Sequence, residues 1–114
     1  MSRPAPSPVQ QRVSEAEWQV RVDLAACYRL VAKLGMSDLI YNHITAKVPG
    51  QDGHFLINPF GMLYSEITAS CFYTLDYDGN VVDKPDTPFA VNQAGFVIHS
   101  AVHKARPDLH CVMH

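Results

Sequence analysis

The stretch His99-Ser-Ala-Val-His-Lys-Ala-Arg-Pro-Asp-Leu-His-Cys-Val-Met-His114 decides how this chain is read. Its first half has helical spacing. Arg106-Pro-Asp108 then makes a tight turn, because proline cannot continue a helix. Residues 109–113 have the apolar character of a buried strand, which stops on His114. A neutral imidazole at a strand end, next to loops, is well placed to bind a metal. One histidine cannot hold an ion alone, so three or four ligands must converge there.

Working outward, the segment before this stretch reads as the start of the same helix. Asn92 is a suitable N-cap, and the helix is predicted over 93–104 with Phe96, Ile98 and Val102 as apolar anchors. Gly95, early in it, costs about 1 kcal/mol relative to alanine. Upstream, Ser14 and Glu17 match a capping box. Trp18, Val22, Ala25, Ala26, Leu30 and Leu34 follow near helical spacing, and Gly35 is a natural stop. This stripe is expected to pack in the core.

Between the two helices the pattern changes to short strands. Ile44, Ala46 and Val48 alternate with Thr45 and Lys47. Phe55-Leu-Ile57 is ended by Asn58-Pro59, and Phe72-Tyr-Thr-Leu-Asp76 leads into the hairpin signal Asp78-Gly79 and back through Val81-Val82. Glu66 is expected to begin a short helix. The order helix, antiparallel strands, helix, strand predicts an α/β layered domain.

Composition bounds the rest. A chain of 114 residues with 47% hydrophobic content is one domain at most. Residues 1–13, rich in proline and polar side chains, read as a flexible leader with no hydrophobic signal segment. The formal charge of -2 and the scattered basic residues argue against nucleic acid or an anionic membrane as partner. No apolar run approaches the roughly 20 residues of a bilayer span. Cys27, Cys71 and Cys111 are odd in number and widely spaced. They read as reduced core residues of a cytoplasmic protein.

Each candidate site has a functional and a structural reading. His99 and His103, four apart on a helix, share one face as helical zinc pairs do. Ser100 stands where the glutamate of His-Glu-x-x-His would be, so hydrogen-bonded or solvated histidines are the stronger expectation. Asn42-His43-Ile44-Thr45, at a strand start, can line a pocket or cap a turn. Asn58-Pro-Phe-Gly61 is a turn whose bare backbone at Gly61 would let a ligand approach. No carboxylate pair has spacing suited to acid/base work, and no glycine loop suits a phosphate.

Taken in order, the segments from Trp18 to His114 resemble the N-terminal half of the class II aldolase/adducin domain family. The matching pieces are the Ala25-Cys-Tyr-Arg-Leu30 helix, Ser37-Asp-Leu-Ile-Tyr-Asn-His-Ile-Thr45, Phe55-Leu-Ile-Asn-Pro-Phe-Gly61, Asp76-Tyr-Asp-Gly-Asn-Val-Val82 and the stretch from His99 to His114. The resemblance implies a three-layer αβα sandwich around a mainly antiparallel sheet, incomplete in this chain, with 14–114 as the N-terminal half of the domain. It implies a homotetramer and Zn²⁺ or another divalent metal held by three histidines. His114 matches the first of them, and the others would lie beyond it.

The resemblance further implies that Asn42, His43, Asn58 and Gly61 contact substrate. By ungapped counting, Gly95 falls where the family's aldolases carry an acid/base glutamate. Gln93 and Ala94 fall where their phosphate-binding serines stand. The implied activity is therefore a zinc-dependent aldehyde-lyase or decarboxylase acting on a small non-phosphorylated hydroxy-carbonyl compound. The alternative is a non-catalytic scaffold of the cytoskeletal, adducin-like type.

Overall fold

A computed structural model describes residues 6–85 and 87–114. The chain enters through a one-turn helix, α1 (Pro8–Arg12). Ser7 caps it by accepting from the Gln10 amide, and Pro8 supplies a preset φ at the first position. Val9 is buried, and Arg12 pairs with Asp83 at 3.1 Å. The flexible leader expected over 1–13 is thus corrected for α1, which is capped and docked on the domain. Residues 1–5 lie outside the described residues.

Helix α2 (Glu15–Lys33) begins at Ser14, whose Oγ accepts from the Glu17 amide at 3.0 Å. It ends at Gly35, with φ of 71°. Met36 N–H reaches Val31 O at 3.0 Å and Gly35 N–H reaches Ala32 O at 3.1 Å, the paired bonds of a Schellman stop. The face it buries is not the one its apolar residues suggest. Glu17, Arg21, Leu24, Ala25 and Tyr28 point inward, while Val22, Leu30 and Leu34 are exposed. The reason is electrostatic. Arg21 is fully buried, with Nε 2.8 Å from Glu17 Oε2, and Nη2 donates to Thr74 Oγ1 at 3.3 Å. An ion pair with its hydrogen bonds satisfied can occupy the core side of a helix.

Five strands form one sheet: β1 (Ile44–Lys47), β2 (His54–Ile57), β3 (Tyr73–Asp76), β4 (Val81–Asp83) and β5 (Cys111–Met113). Their order is β4-β3-β2-β1-β5, and every neighbouring pair is antiparallel. Between β2 and β3 lies a single 3-10 turn, Tyr64–Glu66. Glu66 ends this turn rather than beginning a helix, because its Oε1 folds back to accept from the Leu63 amide at 2.9 Å. Helix α3 (Gln93–Ala105) carries the chain from one sheet edge to the other, starting at Asn92.

The sheet has an apolar layer on each face. Leu24, Ala25 and Tyr28 of α2 pack with Ile44, Ala46, Val48, Leu56, Ile67 and Phe72. On the other face Phe96 of α3 packs with Phe55, Ile57, Tyr73 and Leu75. Strand alternation sends Ile44 and Ala46 to the first layer and leaves Thr45 for the second. The result is the αβα arrangement with an antiparallel sheet that the family resemblance implies. Of the anchors expected on α3, Phe96 is buried, Val102 is half-buried and Ile98 is exposed. The remaining inner positions are Gly95, His99, Ser100 and His103. The cysteines are all free thiols, but only Cys71 is in the core, whereas Cys27 and Cys111 are exposed. Among the described residues no helix is long and apolar enough to cross a membrane.

A histidine cluster as candidate metal centre

Three backbone features bring His43, His99 and His114 together. Asn42 has φ of 70°, a left-handed conformation that asparagine tolerates, and this turn delivers the chain into β1. His43 precedes Ile44 and shares its strand face with Thr45, the face that α3 covers. The β1/β5 register places Met113 opposite Ile44, so the next residue, His114, lies opposite His43. The His114 amide donates to His43 O at 3.2 Å and fixes that register. From above, α3 lowers His99 onto the same spot.

One ring nitrogen from each of the three histidines lies within 4.8 Å of the others. His43 Nδ1 and His114 Nε2 are 3.4 Å apart. Two nitrogens on a tetrahedral zinc, each about 2.0–2.1 Å from the ion, stand about 3.3 Å apart. His43 and His99 are buried and His114 is exposed, so the cluster has two enclosed ligands and one at the surface. His43 Nε2 and His99 Nε2 are buried with no hydrogen-bond partner. Buried polar atoms without partners are costly, and an ion at the cluster would satisfy His99 Nε2. The donor set therefore fits a divalent metal of the zinc type.

Electrostatics point the same way. Burial pushes His99 and His103 down to about 4, and His43 is also lowered, first by burial and then by His114. Neutral imidazole is the ligating form. The second side of His99 is held by Thr45, whose Oγ1 is 2.7 Å from His99 Nδ1 and 2.8 Å from His103 Nε2. A hydroxyl has one proton, so one ring donates to Thr45 and the other accepts from it. When His99 is the donor, its Nε2 carries a free lone pair directed at the cluster.

His99 and His103 thus do not act as a metal pair. His103 belongs to a neighbouring layer, stacked with Tyr77 at a 4° interplanar angle and lying 5.2 Å from the Phe55 ring centroid. Asn58 is 1% exposed, and its Oδ1 accepts from Tyr28 Oη at 3.0 Å. Gly61 has φ of 118°, and a Cβ there would lie 2.6 Å from Phe89. The close neighbour that Gly61 admits is the Phe89 ring. Asn42 is half-buried beside His43. Gly95 lies against the His43 ring: a Cβ at this position would be 2.8 Å from Nε2 and Cε1. The sequence marks His114 as a metal ligand and His43 as a substrate contact, and gives Thr45 no special weight. The signal for Thr45 was its strand parity with His43.

Comparison with known proteins agrees with this architecture. Residues 22–114 match the profile of the Class II Aldolase and Adducin N-terminal domain. The chain is 62% identical over 103 residues to a Caulobacter vibrioides protein named "Putative aldolase class 2 protein", covering 90% of this chain and 39% of that one. It is 52% identical over 100 residues to alpha-adducin of Mus musculus, covering 88% of this chain and 14% of the adducin. Among solved structures, an aldolase II superfamily protein from Pseudomonas syringae superposes with a TM-score of 0.90 at 56% identity, over 95% of this chain and 43% of that one. The L-fuculose 1-phosphate aldolase from Glaciozyma antarctica PI12 superposes with a TM-score of 0.82 at 30% identity, over 99% of this chain and 44% of that one. This chain spans about two-fifths of the length of the Caulobacter protein. It belongs to the class II aldolase and adducin N-terminal domain family.

Proposed function

We propose that this domain takes part in binding a divalent metal ion, with zinc the best fit, through His114, with His43 and His99 clustered beside it. In this reading the domain serves a metal-dependent aldehyde-lyase or decarboxylase acting on a small hydroxy-carbonyl compound. The observation that carries it is the convergence of three ring nitrogens within 4.8 Å, two of the rings buried with an unpartnered nitrogen. When bound, such an ion polarises a carbonyl oxygen as a Lewis acid. The chain's own part is to present neutral imidazoles on a rigid frame, with Thr45 fixing the orientation of His99. Asn42, half-buried next to His43, is the polar side chain we assign to substrate contact. Asn58, bonded to Tyr28, and Gly61, against the Phe89 ring, are the other substrate contacts of this reading.

A non-phosphorylated substrate suits the surroundings. Gln93 and Ala94 offer no hydroxyl, and Gly95 carries no proton-transfer group. A proton must then move through a group elsewhere, such as a neighbouring subunit of a homotetramer. A cytoplasmic location suits three free thiols. The test is turnover of small hydroxy-aldehydes and hydroxy-acids by metal-stripped and zinc-reloaded protein. Activity that follows the metal supports the reading, and identical rates in both forms contradict it.

One observation favours a second reading. Position 95 is a glycine, which offers no proton-transfer side chain, and the chain is 52% identical to alpha-adducin as well as 62% to a putative aldolase class 2 protein. A non-catalytic, adducin-like scaffold would form stable oligomers without metal, which size-exclusion chromatography with light scattering of stripped protein would reveal.

A further inference from the structure

We infer that Phe89 is a specificity-determining residue. Its ring stands on the bare backbone of Gly61 and walls off that side of the site, which then takes a small hydroxy-carbonyl compound with a free hydroxyl and turns away one that carries a phosphate there. The inference rests on the substrate reading above and names the side chain that sets it.

Two sets of bonds place Phe89 at the site. The Tyr28 hydroxyl ties Asn58 to the start of β1, at 3.0 Å from Asn58 Oδ1 and 2.8 Å from the Ile44 amide. His43 immediately precedes Ile44, and Gly61 is three residues beyond Asn58, so Gly61 lies at the sheet end where His43 and His114 meet. The segment 87–91 crosses this end between β4 and α3. The Phe60 amide donates to Ala90 O at 2.8 Å, and Tyr73 Oη donates to Phe89 O at 2.5 Å. Asn92 then caps α3, and Gly95, three residues further on, lies against the His43 ring.

The contact between the ring and Gly61 is close. Gly61 has φ of 118°, and a Cβ there would be 2.6 Å from Phe89 Cδ1 and 2.9 Å from Cε1. No side chain at position 61 could share that space. A glycine backbone lets a ligand approach closely, and here the ring takes up the approach. Phe89 is 40% exposed, so it is no core residue. The bonds that hold its segment use the carbonyl oxygens of residues 89 and 90, and truncating the ring leaves them in place.

A phenyl ring offers no donor to an oxyanion. A phosphate pressed against it loses water and gains no partner, which is costly for a charged group. A free hydroxyl is small enough to stay clear of the ring.

The test is calorimetric binding of glycolate and of phosphoglycolate, which differs from it by a phosphate on the hydroxyl. The proteins are the zinc-supplied parent, Phe89→Ala and Phe89→Leu, with circular dichroism and Tm as checks of folding. The parent should prefer glycolate. Phe89→Ala should shift the ratio of the two affinities towards phosphoglycolate by about tenfold or more, the scale on which a change in pocket shape discriminates. Phe89→Leu keeps an apolar wall and should keep the parent's preference.

A folded Phe89→Ala that binds glycolate with the parent's ratio refutes the wall and leaves the substrate reading in place. So does a parent that binds phosphoglycolate as well as glycolate or better. If the parent binds neither compound while Phe89→Ala binds phosphoglycolate, the wall stands and the substrate reading falls. If none of the three proteins binds either compound, both fall.

Discussion

Thr45 holds His99 through a 2.7 Å contact between Oγ1 and Nδ1, and the same oxygen lies 2.8 Å from His103 Nε2. This hydroxyl stands between the two buried rings of α3, donating to one and accepting from the other. Removing it from Thr45→Val leaves both rings without a partner on that side. We expect a loss of about 1–3 kcal/mol in stability and about 10–100-fold in metal affinity, the usual cost of losing an orienting partner behind a ligand. Thr45→Ser should restore both. Urea unfolding and metal titration of the three proteins check this. Unchanged affinity in Thr45→Val would contradict the orienting role.

Acid should destabilise the metal-free protein over a defined window. His99 and His103 are pushed down to about 4 from 6.5 by burial, and His43 shifts in the same direction. Between pH 6.5 and 4 the unfolded chain takes up protons that the folded chain refuses. Stability is therefore full above pH 6.5 and falls as pH drops towards 4, by up to about 1.4 kcal/mol per pH unit for each group. Urea midpoints measured from pH 7.5 to 4 check this. A flat profile down to pH 4.5 would contradict the burial of these rings.

Tyr28 joins α2 to the start of β1. Its hydroxyl accepts from the Ile44 amide at 2.8 Å and lies 2.6 Å from Ile44 O and 3.0 Å from Asn58 Oδ1. Tyr28→Phe strands a buried amide next to His43 and should cost about 1–3 kcal/mol. Hydrogen exchange at the Ile44 amide should accelerate in the variant. An unaltered exchange rate would show that another group anchors this strand.

Arg21 has 0% exposure, pairs with Glu17 at 2.8 Å and reaches Thr74 on β3. Arg21→Ala leaves the Glu17 carboxylate buried and unpaired. The expected loss is about 3–5 kcal/mol, a large share of the 5–15 kcal/mol typical of a domain. Chemical denaturation checks this, and a loss below about 1 kcal/mol would show that Glu17 finds water instead.

Much of the architecture was legible because it follows from local rules. Ser14, Asn92 and Gly35 marked the helix ends, Asp78-Gly79 marked a hairpin, and alternation from Ile44 to Val48 marked a strand. What failed was the choice of helix face. Counting apolar residues selected Val22, Leu30 and Leu34, whereas the buried side of α2 is organised around Arg21 and Tyr28, whose polar groups find partners only in the folded protein. The same limit applied at α3, where Ile98 looked like an anchor and His99 and His103 took the inner face. His114 and His43 stood out by residue type, but their proximity depends on the β1/β5 register, which no local pattern contains. The link between Gly95 and His43 spans 52 residues and needs the packed structure to be seen.

The most direct test of the account is the metal content of the purified protein, read by native mass spectrometry beside elemental analysis. The account predicts one divalent ion per chain in the parent and a loss of that ion in both His99→Ala and His114→Ala, each still folded. A folded parent that takes up no divalent ion when zinc is supplied, or variants that retain a full complement, would contradict it.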